Sequence, residues 1–221
     1  MNIEDLKKID SKKMYQTYDK WPEIAKDSFD NDFEKFDVKG IDHIVFSGMG
    51  GSGSIGDVIS AILSKEDIHV SNVKGYHLPK TVDSNSLVVA TSISGNTRET
   101  LTVLEKAQKT DAKIAAFSSG GMMQKFCESN NVFFKEISMI HSPRASFPKF
   151  LFSILSILKE IIPIQEKDLI ESISSLDITR NDISSNNLTG ENISLKLAQW
   201  IKEIPLIYYP WGLQSAAIRF K

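Results

Sequence analysis

Ile41-Asp-His-Ile-Val-Phe-Ser-Gly-Met-Gly-Gly-Ser-Gly-Ser-Ile55 decides the architecture of this chain. Ile41 to Phe46 is a short apolar run rich in β-branched and aromatic residues, it ends in glycines, and the helical stretch Ile55 to Leu63 follows, so the segment reads as strand, turn and helix. The same alternation continues downstream. Ile68 to Val70 and Leu87 to Ala90 read as strands, Thr97 to Lys109 as a helix, and Ile114 to Phe117 as a strand. Met122 to Ser129 then reads as a helix, Val132 to Phe134 as a strand, and Phe147 to Ile162 as a long, mostly buried helix. Continuous apolar strands alternating with helices predict an α/β fold, a doubly wound, three-layer parallel sheet covered on both faces.

Outside this core, residues 1–40 carry Met14, Tyr18, Trp21, Ile24 and Phe29 at helical spacing and are expected as short helices packed on the first domain, residues 41–162. Residues 163–203 are expected as a helical connector whose serine- and asparagine-rich part, Ser172 to Asn192, is a solvated helix with a loop or a linker. Ile204 to Tyr209 reads as another strand and Leu213 to Phe220 as a helix, so 204–221 is expected to begin a second, incomplete α/β unit. One strand and two helical turns are too little to bury a parallel strand on both sides.

With 26 basic against 28 acidic residues and no dense cationic block, the chain lacks the electrostatic footprint of a nucleic-acid or membrane-surface binder. No uninterrupted apolar run approaches the ~20 residues that span a bilayer. The single cysteine, Cys127, excludes an intrachain disulfide, suits a reducing cytoplasmic setting, and is expected in the core. None of the four histidines has a metal-ligand spacing, so no metal is expected.

In such sheets ligands bind at the carboxyl ends of the strands. Gly48-Met-Gly-Gly-Ser-Gly53, between a strand and a helix, can turn backbone N–H groups onto an anion. Its glycines also satisfy the dinucleotide pattern, but Lys74-Gly75 stands where an acidic ribose ligand belongs, which argues against a nicotinamide cofactor. A tight turn without a ligand is the alternative. The second loop, Thr91-Ser-Ile-Ser-Gly-Asn-Thr97, sets the hydroxyls of Ser92, Ser94 and Thr97 before a helix, where donors and the helix dipole suit a phosphate dianion. Simple helix capping by Ser94 or Thr97 is the competing reading. In Ser142-Pro-Arg-Ala-Ser-Phe-Pro148 two prolines frame Arg144, which is read either as an anion or oxyanion ligand or as a surface arginine in a proline turn.

Together, Gly-Met-Gly-Gly-Ser-Gly, Ser-Ile-Ser-Gly-Asn-Thr and Pro-Arg-Ala-Ser-Phe-Pro resemble, from about Tyr15 to Lys221, the bifunctional phosphoglucose/phosphomannose isomerases of the sugar isomerase (SIS) fold. The resemblance implies an aldose–ketose isomerase that interconverts glucose 6-phosphate or mannose 6-phosphate and fructose 6-phosphate through an enediolate, without a cofactor. It implies Gly50, Gly51, Ser52, Ser92, Ser94 and Thr97 as phosphate ligands and Arg144 as the group stabilising the enediolate. It also implies a homodimer with the active site at the interface. In family members an Asn-Glu-Asn motif carrying the base, and later a histidine, follow the segment resembling Ile204 to Lys221. Neither falls within these residues, and Glu99 and Glu203 match no catalytic position. Two readings follow: part of a complete isomerase, or a short form that binds sugar phosphate without efficient turnover. A non-catalytic sugar-phosphate-sensing module is the rival of another class.

Overall fold

The computed structural model describes residues 1–220. Its sheet comprises β1 (His43–Ser47), β2 (His69–Val73), β3 (Ser86–Ser92), β4 (Lys113–Ser118) and β5 (Phe133–Glu136). All four pairings are parallel and the spatial order is β2-β1-β3-β4-β5, so the expected fold is the one observed. Every residue of β1 and of β3 is buried, because helices cover both faces. That is why these strands read as unbroken apolar runs.

Alternate strand residues divide the core into two layers. Ile44, Phe46, Leu87, Val89 and Phe117 face α4 (Gly51–Ile62) and α7 (Phe147–Ile157), meeting Ile55, Ile59, Phe150 and Ile154. On the other face Val45, Val88, Ala90 and Ala116 meet α5 (Arg98–Ala107) and α6 (Gly121–Asn130) through Val103, Leu104, Met123 and Cys127. Cys127 is fully buried, as expected of a packing residue, and burial pushes its thiol up to about 12.

The N-terminal segment holds α1 (Ile3–Ile9), α2 (Met14–Asp19) and α3 (Trp21–Asp30), and α3 packs across α7 with Ala25 fully buried. The Trp21 indole N–H fixes the entry to α7 by donating to the Ala145 carbonyl at 2.9 Å. The long helix after β5 stops at Ile157 rather than Ile162, although Ile161 and Ile162 stay buried. Pro163 supplies no N–H and biases the residue before it away from helix, so the chain leaves through a turn.

Most of the serine-rich connector is helical: α8 (Glu166–Ile183) is followed by turns and then α9 (Ile193–Trp200). Arg180 anchors α8 to the N-terminal helices, donating to the Asp19 carbonyl at 2.9 Å and pairing with Glu23 at 3.1 Å. The strand expected at Ile204 to Tyr209 does not form. Those residues pair with no strand, and Ile204, Leu206 and Tyr208 are 92%, 81% and 91% exposed. An apolar β-branched run becomes a strand only where a neighbouring ladder takes up its N–H and C=O groups, and no described strand lies beside it. The helix after it, α10 (Gln214–Phe220), is present and docks on α4, where the Ser215 hydroxyl donates to the Ser54 carbonyl at 3.0 Å. No helix among the described residues is long and apolar enough to cross a membrane.

At the opposite end from the glycine turn, β1 opens on a buried histidine. The His43 ring lies 4.6 Å from that of His69, with Ser71 Oγ 3.0 Å from Nε2 and Ser86 Oγ 3.4 Å from Nδ1. Burial first, and the His69 charge second, hold His43 below its ordinary value of 6.5, against weaker opposing effects of Thr81, Asp83 and Asp42. The folded protein therefore takes up this proton less readily than the unfolded chain. Stability from this site is present above about pH 6.5 and is lost as pH falls below it. Thermal unfolding at pH 7 and at pH 5 checks this. The midpoint should fall on acidification, and fall less in His43→Gln, whereas equal falls would remove His43 as a cause.

Candidate functional site

In this strand order, the crossover from β1 leads to β2 on one side while β3 leads to β4 on the other. The loops leaving β1 and β3 therefore diverge and open a crevice at the carboxyl end of the sheet. A cavity of about 390 Å³ occupies it, lined from one side by Gly50, Gly51 and Ser52 and from the other by Ile93, Ser94 and Thr97, with Arg144 and Arg219 across its mouth. The structure thus brings together Gly50, Gly51, Ser52, Ser94, Thr97 and Arg144.

The glycine turn is built by close approach. Gly50 has φ +53 and serves as N-cap of α4 without a capping side chain. A Cβ at Gly53 would lie 2.7 Å from the Gly48 carbonyl oxygen, and one at Gly56 would lie 2.7 Å from the Phe46 Cβ, so α4 can lie this tightly against β1 only with glycine at both places. The Ser52 and Gly53 N–H groups both donate to the Met49 carbonyl, at 3.1 and 3.3 Å, so at the start of α4 it is the Gly51 N–H that is left for the cavity, with the positive end of the helix dipole behind it. At the position where a nicotinamide-binding fold would place its ribose carboxylate stands Lys74, whose Nζ pairs with the buried Asp57 at 2.6 Å. The basic residue is thereby occupied within the fold.

The second loop is held from behind by the turn between β4 and α6. The Met123 N–H donates to the Gly95 carbonyl at 2.9 Å, the Met122 N–H to Asn96 Oδ1 at 3.1 Å, and Ser119 Oγ to the Ile93 carbonyl at 2.6 Å. Gly95, at φ +69, is pressed against Gly120. Across the crevice the Ile93 N–H donates to Ser52 Oγ at 3.3 Å, which ties the two loops together.

The hydroxyls of this loop are not equivalent. Ser94 is exposed and Thr97 half-buried, and both line the cavity. Ser92 is 1% exposed and is not among the lining residues. Its hydroxyl lies 2.9 Å from Thr97 Oγ1. Expected as a direct phosphate ligand, Ser92 is placed outside the cavity lining: as the last residue of β3 it shares with Val88 and Ala90 the sheet face covered by α5 and α6, and its hydroxyl backs that of Thr97. Thr97 occupies the N-cap of α5 in extended backbone, yet its side chain makes no capping hydrogen bond. The capping alternative therefore fails for Thr97, and the leading amides of α5 stay open toward the crevice.

Arg144 leaves a turn fixed by more than its prolines. The Ser146 hydroxyl accepts from the Ile140 N–H at 2.8 Å and lies 2.8 Å from the Ser142 carbonyl, while the Ala145 N–H donates to Ser142 Oγ at 3.3 Å. Pro148 sits in the first turn of α7. The Arg144 guanidinium donates to the carbonyl of Arg219, and Arg219 Nη2 donates back to the Arg144 carbonyl at 2.9 Å. Sequence reasoning missed Arg219, which no local motif marks. Burial, followed by the neighbouring Arg144 charge, lowers the Arg219 pKa from its ordinary value. Among the described residues, no carboxylate and no imidazole lines this cavity. The polar part of the lining consists of backbone groups, hydroxyls and two guanidinium groups.

A parallel sheet of this order with glycine and hydroxyl loops meeting at its switch point defines the class. Residues 39–142 match the SIS domain family, so this chain contains an SIS domain. More particularly, it is related to the bifunctional phosphoglucose/phosphomannose isomerases. The Thermoplasma acidophilum protein of that name is 33% identical over 181 residues, covering 81% of this chain and 53% of the relative. A D-glucosamine-6-phosphate 4-epimerase of Sulfolobus acidocaldarius is 28% identical over 214 residues, covering 94% of this chain and 64% of the relative. Among solved structures, tagatose-6-phosphate ketose/aldose isomerase from Escherichia coli shares the fold with a TM-score of 0.54 at 17% identity, covering 82% of this chain and 52% of that one. The chain thus spans about half the length of the first relative and under two thirds of the second.

Proposed function

We propose that the chain takes part in the aldose–ketose isomerisation of glucose 6-phosphate and mannose 6-phosphate to fructose 6-phosphate, and that the crevice between β1 and β3 holds the phosphate. The observation that carries this reading is the convergence of Gly50, Gly51, Ser52, Ser94, Thr97 and Arg144 on one cavity at the switch point. Backbone donors at two helix N-termini and two hydroxyls suit a phosphate dianion. Ser92 acts behind Thr97. Moving a proton between C1 and C2 builds negative charge on oxygen, and the fixed guanidinium of Arg144 offsets it in the enediolate. The relatives support the phosphosugar end of the reading: their names share a sugar phosphate and differ in the chemistry performed on it. The reading includes a homodimer, as the family resemblance implies, and a cytoplasmic setting, which the single cysteine suits.

Proton transfer also needs a base of suitable pKa within reach of the substrate. That no carboxylate or imidazole among the described residues lines the cavity favours a second reading, a sugar-phosphate-binding module without turnover. A coupled assay for fructose 6-phosphate formation from glucose 6-phosphate and mannose 6-phosphate separates the two. Turnover in the ordinary enzymatic range, about 1 to 10³ per second, supports the isomerase. Binding of 5-phosphoarabinonate, whose carboxylate stands where the enediolate would, without turnover supports the module. Neither turnover nor binding contradicts both.

A further inference from the structure

Arg219 occupies a position that its own packing does not explain. It projects from α10 into the same cavity as Gly51, Ser94, Thr97 and Arg144, and it also borders a second cavity of about 670 Å³ lined by Tyr18, Trp21 and Phe147. Its guanidinium carbon lies 4.0 Å from the Phe147 ring centroid and 5.8 Å from that of Trp21. One edge, through Nη2, is fixed on the Arg144 carbonyl. Nη1 is directed at the glycine turn, 3.3 Å from where a Cβ of Gly51 would stand. Among the described residues no carboxylate forms an ion pair with Arg219.

Two guanidinium groups side by side repel, and this pair is held together by aromatic faces and reciprocal carbonyl bonds. An arginine needed only for packing would be better placed beside an acid or out in water. Here the second cation is kept against the first and aimed at the N-terminus of α4, a twelve-residue helix whose first residue, Gly51, lines the same cavity. An anion seated there meets Arg219 Nη1 and the Gly51 amide together, with Arg144 alongside.

We propose that Arg219 is a second ligand-binding cation of this site, forming beside Arg144 a cationic clamp over the Gly51 turn that selects a phosphomonoester in its dianionic form. The proposal rests on the phosphosugar reading above and adds to it a division of labour. Arg219 and the glycine turn take the phosphate, which leaves Arg144 for the oxygen atoms at the reacting end.

Calorimetric titration with glucose 6-phosphate at pH 5 and pH 7.5 tests this in the unaltered chain, Arg219→Gln and Arg219→Lys, with thermal unfolding of each as the folding control. A phosphomonoester gains its second charge near pH 6, so the unaltered chain should bind more tightly at pH 7.5. Arg219→Gln, which keeps a planar group against Phe147, is expected to lose tenfold or more at pH 7.5 and little at pH 5, flattening the profile. Arg219→Lys, which keeps the charge, should retain most of the affinity and the pH dependence. Arg219→Gln binding as tightly as the unaltered chain, or equal losses at both pH values, would overturn the proposal. So would a loss in Arg219→Lys as large as in Arg219→Gln, which would make the role one of shape. If the unaltered chain binds while Arg219→Gln has no effect, the clamp alone fails. If the unaltered chain does not bind at all, the phosphosugar reading fails with it.

Discussion

Gly95→Ala is expected to lower stability by about 3 kcal/mol or more and to take the phosphate loop with it. Two effects add. A residue with a Cβ held at the left-handed φ of +69 that Gly95 adopts costs about 1–2 kcal/mol. The new methyl would also lie 1.8 Å from the Gly120 carbonyl oxygen, which is backbone and cannot swing aside. Relief requires the Ile93-to-Thr97 loop to part from the turn before α6, breaking the Met123 to Gly95 bond of 2.9 Å, and overpacking of this kind typically costs a further 1–3 kcal/mol. For a chain of this size the melting temperature should fall by roughly 6–12 °C, read by circular dichroism. Gly75→Ala, where nothing lies within 4 Å of the added methyl, is the control and should melt with the parent. A Gly95→Ala protein melting within about 2 °C of the parent would show that the loop is not held as described.

Replacing Ser94 with Ala and Thr97 with Val together is expected to weaken glucose 6-phosphate binding tenfold or more without unfolding the chain. Ser94 is exposed and Thr97 half-buried, so their removal opens no core cavity. Each hydroxyl is assigned one hydrogen bond to a charged oxygen, worth about 1.5–3 kcal/mol in protein interiors and nearer 1 kcal/mol at a solvent-facing site. Ser92→Ala alone should do less, because Ser92 reaches the cavity only through Thr97 Oγ1. A several-fold loss, below that of the double variant, is the expected result. If Ser92→Ala weakens binding more than the double variant does, the ordering of these hydroxyls is reversed.

The parallel sheet was legible in the sequence because β1 and β3 are buried on both faces, which forces runs such as His43-Ile-Val-Phe and Leu87-Val-Val-Ala. The helices behind the two loops were legible for a similar reason, as glycine or hydroxyl residues precede an amphipathic stretch in each. Ile204 to Tyr209 satisfied the same composition rule and is no strand, because composition reports a preference for extended backbone and not the presence of a ladder to join. Side-chain direction was also hidden. Ser92 and Ser94 look alike in sequence, but one ends a buried strand and the other lies past it, so only Ser94 faces the cavity. Arg219 was beyond reach for another reason: its partner Arg144 is 75 residues away, and only the docking of α10 on α4 brings the two together.

In the function proposed above, the crevice between β1 and β3 binds the phosphate of a phosphorylated sugar. Calorimetric titration of the unaltered chain with 5-phosphoarabinonate and with arabinonate, which lacks the phosphate, tests it most directly. Saturable one-site binding of the phosphorylated compound, at least tenfold tighter than that of its dephosphorylated counterpart, is the predicted result, while equal affinity for the two, or none for either, would contradict it.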